Sequence, residues 1–207
     1  VLDGLHASSN YHIAAYNLTA NKNGDDGAEL NANRTTPYTY SVKVKVKVKK
    51  TYKYVYYYYT VNDVNVSLYG SNNFNNNLSG DGLAATADGA ITVYNLTANG
   101  NGHTGGANDQ IGSGAVLNNC LSIDGFQTCT NTVPYAVTVY GFVNVSDNDN
   151  RGLDINSLGQ VTLSNIIATG NTYVGAYVNN KLSPAINPAY VRGVTIAGTN
   201  IFNENDS

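Results

Sequence analysis

The sequence predicts an all-β solenoid, a parallel β-helix in which short strands stack into one continuous core. Three observations carry this expectation. Three short phrases recur three times in the same order, and such ordered self-similarity marks a stacked repeat. Within each phrase apolar residues fall at every second position, which is the strand period. Asn is the commonest residue at 32, followed by 21 Gly and 19 Thr, whereas Glu occurs twice and Met not at all. Asn and Gly tolerate the left-handed backbone of tight corners, and the scarcity of helix formers leaves little from which to build helices.

The first phrase opens Gly-Leu and closes on a turn: Gly4-Leu5 to Asn17–Asn21, Gly82-Leu83 to Asn95–Asn99, and Gly152-Leu153 to Asn165–Thr169. The second is a Gly-Ala strand, beginning at Gly27-Ala28, Gly114-Ala115 and Gly175-Ala176. The third is an alternating strand ending in Gly: Val66 to Gly70, Val137 to Gly141 and Val194 to Gly198. Leu5, Ala7, Ile13, Ala15, Leu18 and Ala20 form the apolar row of the first copy. Leu83, Ala85, Ile91, Val93, Leu96 and Ala98 repeat it, as do Leu153, Ile155, Val161, Leu163, Ile166 and Ala168. Thr92, Thr138, Thr162 and Thr195 lie between and are expected on the solvent face.

No phrase is long enough to bury its own apolar face, so burial requires stacking. Nine phrases predict about nine rungs in three three-rung repeats, and at roughly 4.8 Å per rung a height of about 43 Å. The whole chain, 1–207, reads as one domain interrupted by insertions. Those at 34–63, 120–135 and 181–192 each follow a second phrase and so leave one side of the stack; 100–113 leaves from another corner. Asn77, Asn148 and Asn205 share one turn position, and Asn21 and Asn99 another. Their amides are expected to bridge turn peptides along the stack.

The ends are in phase. From the closing Gly of the third phrase to the next opening Gly there are 12 residues at Gly70 to Gly82, and 11 at Gly141 to Gly152. A fresh copy after Ser207 would give 13. The chain therefore reads either as a head-to-tail stacking subunit or as a window of a longer repeat polypeptide. The first reading is preferred, because uncapped solenoid ends invite pairing and non-closing contacts make filaments. The axial contact is expected at Val1, Leu2, Gly4 and Leu5 on one end and at Phe202, Asn203 and Asn205 on the other.

Charge argues against a nucleic-acid partner. Six lysines (Lys43, Lys45, Lys47, Lys49, Lys50 and Lys53) sit in one segment, leaving 5 basic against 14 acidic residues elsewhere. That alternating Val/Lys/Tyr segment, 42–61, reads either as an extended ribbon lying against a neighbouring subunit or as a flexible basic loop. No apolar run is long enough to span a membrane, and the lack of a leader or initiator Met fits a mature or partial chain. Cys120 and Cys129 either close a small disulfide loop, which implies an oxidising compartment, or remain two reduced thiols. Seven Asn-x-Ser/Thr triplets, at Asn17, Asn33, Asn65, Asn77, Asn95, Asn144 and Asn205, are weak glycosylation signals in so Asn-rich a chain.

Catalytic constellations are sparse. A carbohydrate-active β-helix needs clustered carboxylates along a groove. Here the acids lie at turns, and the only clusters are Asp25, Asp26 and Glu29, and Asp147, Asp149 and Asp154. His6, His12 and His103 share no spacing, so no enzyme is expected. No cofactor or metal is expected either. Asn21 to Gly27 loosely echoes a calcium loop but lacks its Gly and its Glu, and turn geometry explains those residues better. The outward Thr rows are not paired as Thr-x-Thr, which counts against an ice-binding face.

Taken together, Gly82-Leu83, Ile91 to Asn99, the Gly-Ala-x-Leu-Asn strand and the Val-Thr-Val-x-Gly strand resemble the right-handed parallel β-helix repeats of large bacterial surface and filament proteins. The resemblance covers most of the chain outside the insertions. It implies an extracellular or cell-surface structural role without a cofactor. The expected function is a filament subunit whose partner is itself. A polysaccharide-binding or polysaccharide-cleaving β-helix, of adhesin or lyase type, is the alternative.

Overall fold

The computed structural model describes residues 2–33, 38–48, 51–61, 64–102, 112–120, 133–180 and 193–206. Strands β1 (Leu5–Ser9), β2 (Ile13–Tyr16) and β3 (Ala28–Ala32) open the chain, followed by β4 (Tyr38–Val48) and β5 (Thr51–Val61). Next come β6 (Val66–Tyr69), β7 (Asn72–Asn73), β8 (Leu83–Ala87), β9 (Ile91–Thr97), β10 (Ala115–Asn118) and β11 (Val137–Asn144). The last are β12 (Leu153–Asn156), β13 (Val161–Ser164), β14 (Ile166–Thr169), β15 (Ala176–Asn179), β16 (Val194–Ala197) and β17 (Ile201–Asn203). The described residues are all-β, without a helix.

Two parallel sheets hold every strand except β4 and β5, which pair only with each other as an antiparallel ribbon. The first sheet has the order β1-β3-β8-β10-β12-β15. The second follows β16-β13-β11-β9-β6-β2, with β7, β14 and β17 extending it. The chain passes from one sheet to the other and back, adding one strand to each path per pass. The passages from the first sheet to the second after β3, β10 and β15 carry the insertions at 34–63, 120–135 and 181–192, whereas 100–113 lies on a return passage, from β9 to β10.

The expectation of about nine rungs is not met: the first sheet has six strands. The first phrase already contains two strands, one for each sheet. The second and third phrases form a single pass, with β3 in one sheet and β6 in the other on either side of the insertion. Six layers at roughly 4.8 Å span about 29 Å, two-thirds of the expected height.

Register explains why the apolar residues alternate in size. In the first sheet Leu5, Ala28, Leu83, Ala115, Leu153 and Ala176 stack as partners. Large meets small at each step, and the next inward row, Ala7, Leu30, Ala85 and Leu117, runs out of phase with it before ending on the large residues Ile155 and Val178. This offset fills the space between layers without crowding. The facing sheet stacks β-branched residues instead: Ile13, Val66, Ile91, Val137, Val161 and Val194. Apart from the exposed Val194, both sets belong to one core cluster, in which the inward side chains of the inner strands are fully buried and each buried Leu or Ile contributes about 1.5–3 kcal/mol. The opening glycines stack as well. A side chain on Gly27, Gly82, Gly114 or Gly152 would collide with the carbonyl oxygen of the glycine one layer on.

Candidate functional site

Three features stand out against this regular background: the open ends, the corner ladders and an acidic corner. At the ends, rows that are buried elsewhere reach solvent. In β16, Val194 and Ile196 are 46 % and 54 % exposed, and in β17 Phe202 is 43 % exposed. At the opposite edge Leu5, Ala7, Ile13 and Ala15 are only half-buried against the core. The expected contact residues divide accordingly. Leu2, Gly4 and Leu5 lie at the β1 edge, and Phe202, Asn203 and Asn205 at the β17 edge; Val1 lies outside the described residues. Val194, Ile196 and Ile201 belong to the same open surface. The sequence signal for them was the inward phase of the third phrase.

The corner asparagines form a directional ladder. Asn23 donates through both its backbone N–H and its Nδ2 to Asn77 Oδ1 at 3.0 and 2.9 Å. Asn77 does the same to Asn101, Asn101 to Asn148, Asn148 to Asn171, and Asn171 to Asn205. Asn77, Asn148 and Asn205 therefore share a position as expected, with Asn23, Asn101 and Asn171 completing it. A second ladder runs the other way. Asn75 N–H donates to Asn21 Oδ1, Asn99 N–H to Asn75 Oδ1, and Ser146 N–H to Asn99 Oδ1. Between these ladders sits a left-handed corner, occupied in successive layers by Lys22, Asn76, Gly100, Asp147, Gly170 and Glu204, all at positive φ. These ladders satisfy turn peptides that the sheets cannot reach.

The acidic corner was only partly visible in sequence. Asp25, Asp26 and Glu29 are joined by Asp81 from the next layer, whose backbone N–H donates to Asp26 Oδ1 at 2.7 Å. Asp81 Oδ1 in turn accepts from Ser113 N–H at 2.7 Å. Burial pushes Asp81 from 3.8 up to about 7, with Asp26, Asp154 and Asp25 adding repulsion against the pull of the Ser113 hydrogen bond. Burial likewise raises Asp26 to about 6, with help from Asp25, Asp3 and Glu29, against the hydrogen bond from Asp81. The missed signal was the residue before each opening glycine: Asp3, Asp26 and Asp81 in consecutive layers. Asp154, by contrast, pairs with Arg151.

At the edge of that corner Asp3, His6 and Glu29 place ligand atoms within 4.8 Å of one another. His6 Nδ1 lies 2.5 Å from Glu29 Oε2 and 3.6 Å from Asp3 Oδ2. His6 is already paired with Glu29, whose other oxygen accepts from Asn31 Nδ2 at 2.7 Å, and the group is partly exposed. The sequence-level calcium candidate, Asn21 to Gly27, uses Asn21 and Asn23 in the ladders, and Asp26 accepts a backbone hydrogen bond. Tyr16 stacks on Tyr69 at 5.1 Å, and Tyr94 packs at a tilt on Tyr140 at 4.7 Å. Cys120 is disulfide-bonded, and Cys129 lies outside the described residues. No described helix is long and apolar enough to cross a membrane. No protein-family model, curated protein or solved structure matches this chain.

Proposed function

We propose that this protein is the structural subunit of an extracellular filament: a right-handed parallel β-helix whose copies stack head to tail through their terminal layers. The observation that carries the reading is the exposure of both end layers, where inward rows such as Val194 and Ile196 meet solvent and are not covered by any of the described residues. Apolar rows and free sheet edges of this kind bind another sheet edge. The right hand follows from the near-universal preference of parallel crossovers. The disulfide at Cys120 suits an oxidising, extracellular setting. The partner is another copy, and the reading needs no cofactor.

Electron microscopy of the purified protein tests this. The expected result is unbranched fibres with an axial repeat near 29 Å, about six layers at the paired-strand spacing. A protein that stays monomeric at high concentration would overturn the reading.

The acidic corner supports a second reading, a polysaccharide-binding or polysaccharide-cleaving protein. Near neutral pH a protonated Asp81 beside ionised carboxylates has the pairing that glycoside hydrolysis uses. Against it, Asp26 and Asp81 are both engaged by backbone N–H groups of the next layer. Release of reducing sugar from acidic or neutral polysaccharides would favour this reading over the filament.

A further inference from the structure

The following rests on the end-to-end reading above and concerns how one end recognises the other. We infer that the two ends are complementary to each other and unlike themselves, and that the junction has one register. In that register Glu204 of one copy sits over Lys22 of the next, and β15 and β16 pair with β1 and β2.

Side-chain size supports this register. The row Leu5, Ala28, Leu83, Ala115, Leu153, Ala176 ends on a small residue, and the next copy begins with a large one. Leu5 over Ala176 continues the alternation without a break. In the neighbouring rows Val178 would receive Ala7, and Ile196 would receive Ala15. At the junction each of these rows sets a large residue against a small one, although only the Leu5 row alternates in size throughout.

Hydrogen-bond direction supports it independently. The first ladder leaves the Asn205 backbone N–H at the last layer and Asn23 Oδ1 at the first, a donor and an acceptor at opposite ends. The second ladder runs in the reverse sense, so Asn203 Oδ1 becomes the acceptor and Asn21 N–H the donor. Each end therefore presents what the other lacks.

Charge marks the corner itself. The six-member left-handed row holds Asn, Gly or Asp in its interior layers, residues that tolerate this backbone. Its two end members, Lys22 at φ 59° and Glu204 at φ 54°, gain no such tolerance from their side chains. They are of opposite sign, both exposed, and one layer apart in the continued stack. A contact between like ends would set lysine near lysine or glutamate near glutamate.

The test is a charge-reversal cycle in the full chain, read as the critical concentration for fibre growth by light scattering. K22E and E204K are each expected to raise it about threefold to tenfold, the scale of a partly exposed ion pair turned repulsive. The double variant K22E/E204K, which restores opposite charges in swapped positions, is expected to return within about twofold of the wild type. High salt should shrink all three differences. Far-UV circular dichroism of the unassembled variants confirms that the fold is intact. Fibres whose growth is unaffected by the single reversals, or not restored in the double variant, would overturn the register while leaving end-to-end stacking in place. A wild type that forms no fibres would overturn both.

Discussion

Asn101 shows what one amide does at a corner. It is fully buried, accepts two hydrogen bonds from Asn77 and donates two to Asn148. Asn101→Ala leaves the Asn77 donors without an acceptor in the interior. The expected loss is at least about 3 kcal/mol, seen as a lower urea midpoint at unchanged slope. Asp81 has the opposite character, since its charge is a burden to the fold. Its pKa is 3.8 when unfolded and about 7 when folded, so the native state binds the extra proton between those values. The Asp81 contribution to stability is therefore fully present below pH 3.8 and is lost as pH rises to about 7. Asp81→Asn keeps an oxygen for the Ser113 N–H and removes the charge. It is expected to raise the melting temperature at pH 8 and to leave it nearly unchanged at pH 4. A variant that melts like the wild type at both pH values would show that the Asp81 charge costs nothing.

Among the elements, the strands were legible and their pairing less so. Alternation in Leu83–Ala87, Ile91–Thr97 and Val161–Ser164 marks which residues face inward, and the structure buries those residues. The count of layers failed because alternation does not say which sheet a strand joins. The first phrase hides a sheet-to-sheet corner at Asn10 to His12, where the apolar residues pause after Ala7 but resume at Ile13 in the same odd-numbered phase. Asp81 was missed for a related reason: it meets Asp26 across 55 residues, a distance that only register closes. The Lys-rich segment does form an extended ribbon, with Lys43, Lys45 and Lys47 opposite Tyr56, Tyr54 and Tyr52. Lys43 Nζ lies 4.3 Å from the Tyr54 ring and Lys45 Nζ 4.6 Å from Tyr52, so the lysines are partly spread over their own cross-strand neighbours. Because β4 and β5 pair only with each other, the sheets do not depend on them. Replacing residues 34–63 by a four-residue link between Asn33 and Val64 is expected to preserve the fold. Shorter loop closure contributes about 1–2 kcal/mol in its favour, measurable by thermal unfolding. A collapse of the melting transition would show that the ribbon supports the sheets.

For the whole molecule, what was legible was periodicity: an all-β chain with many short strands. Height was not legible, since it depends on how many phrases share a pass. The parity of the molecule follows from its inner rows. One pass without an insertion takes 23 residues, as between His6 and Glu29 or Asn148 and Asn171. Recombination that duplicated or lost a single such unit would leave every strand its partner, yet in the Leu5 row it would set leucine upon leucine or alanine upon alanine at one seam. Gains or losses of two units escape that conflict. Inherited length variants of this chain should accordingly differ by pairs of passes, and an odd-numbered one would need a compensating change in residue size at its seam.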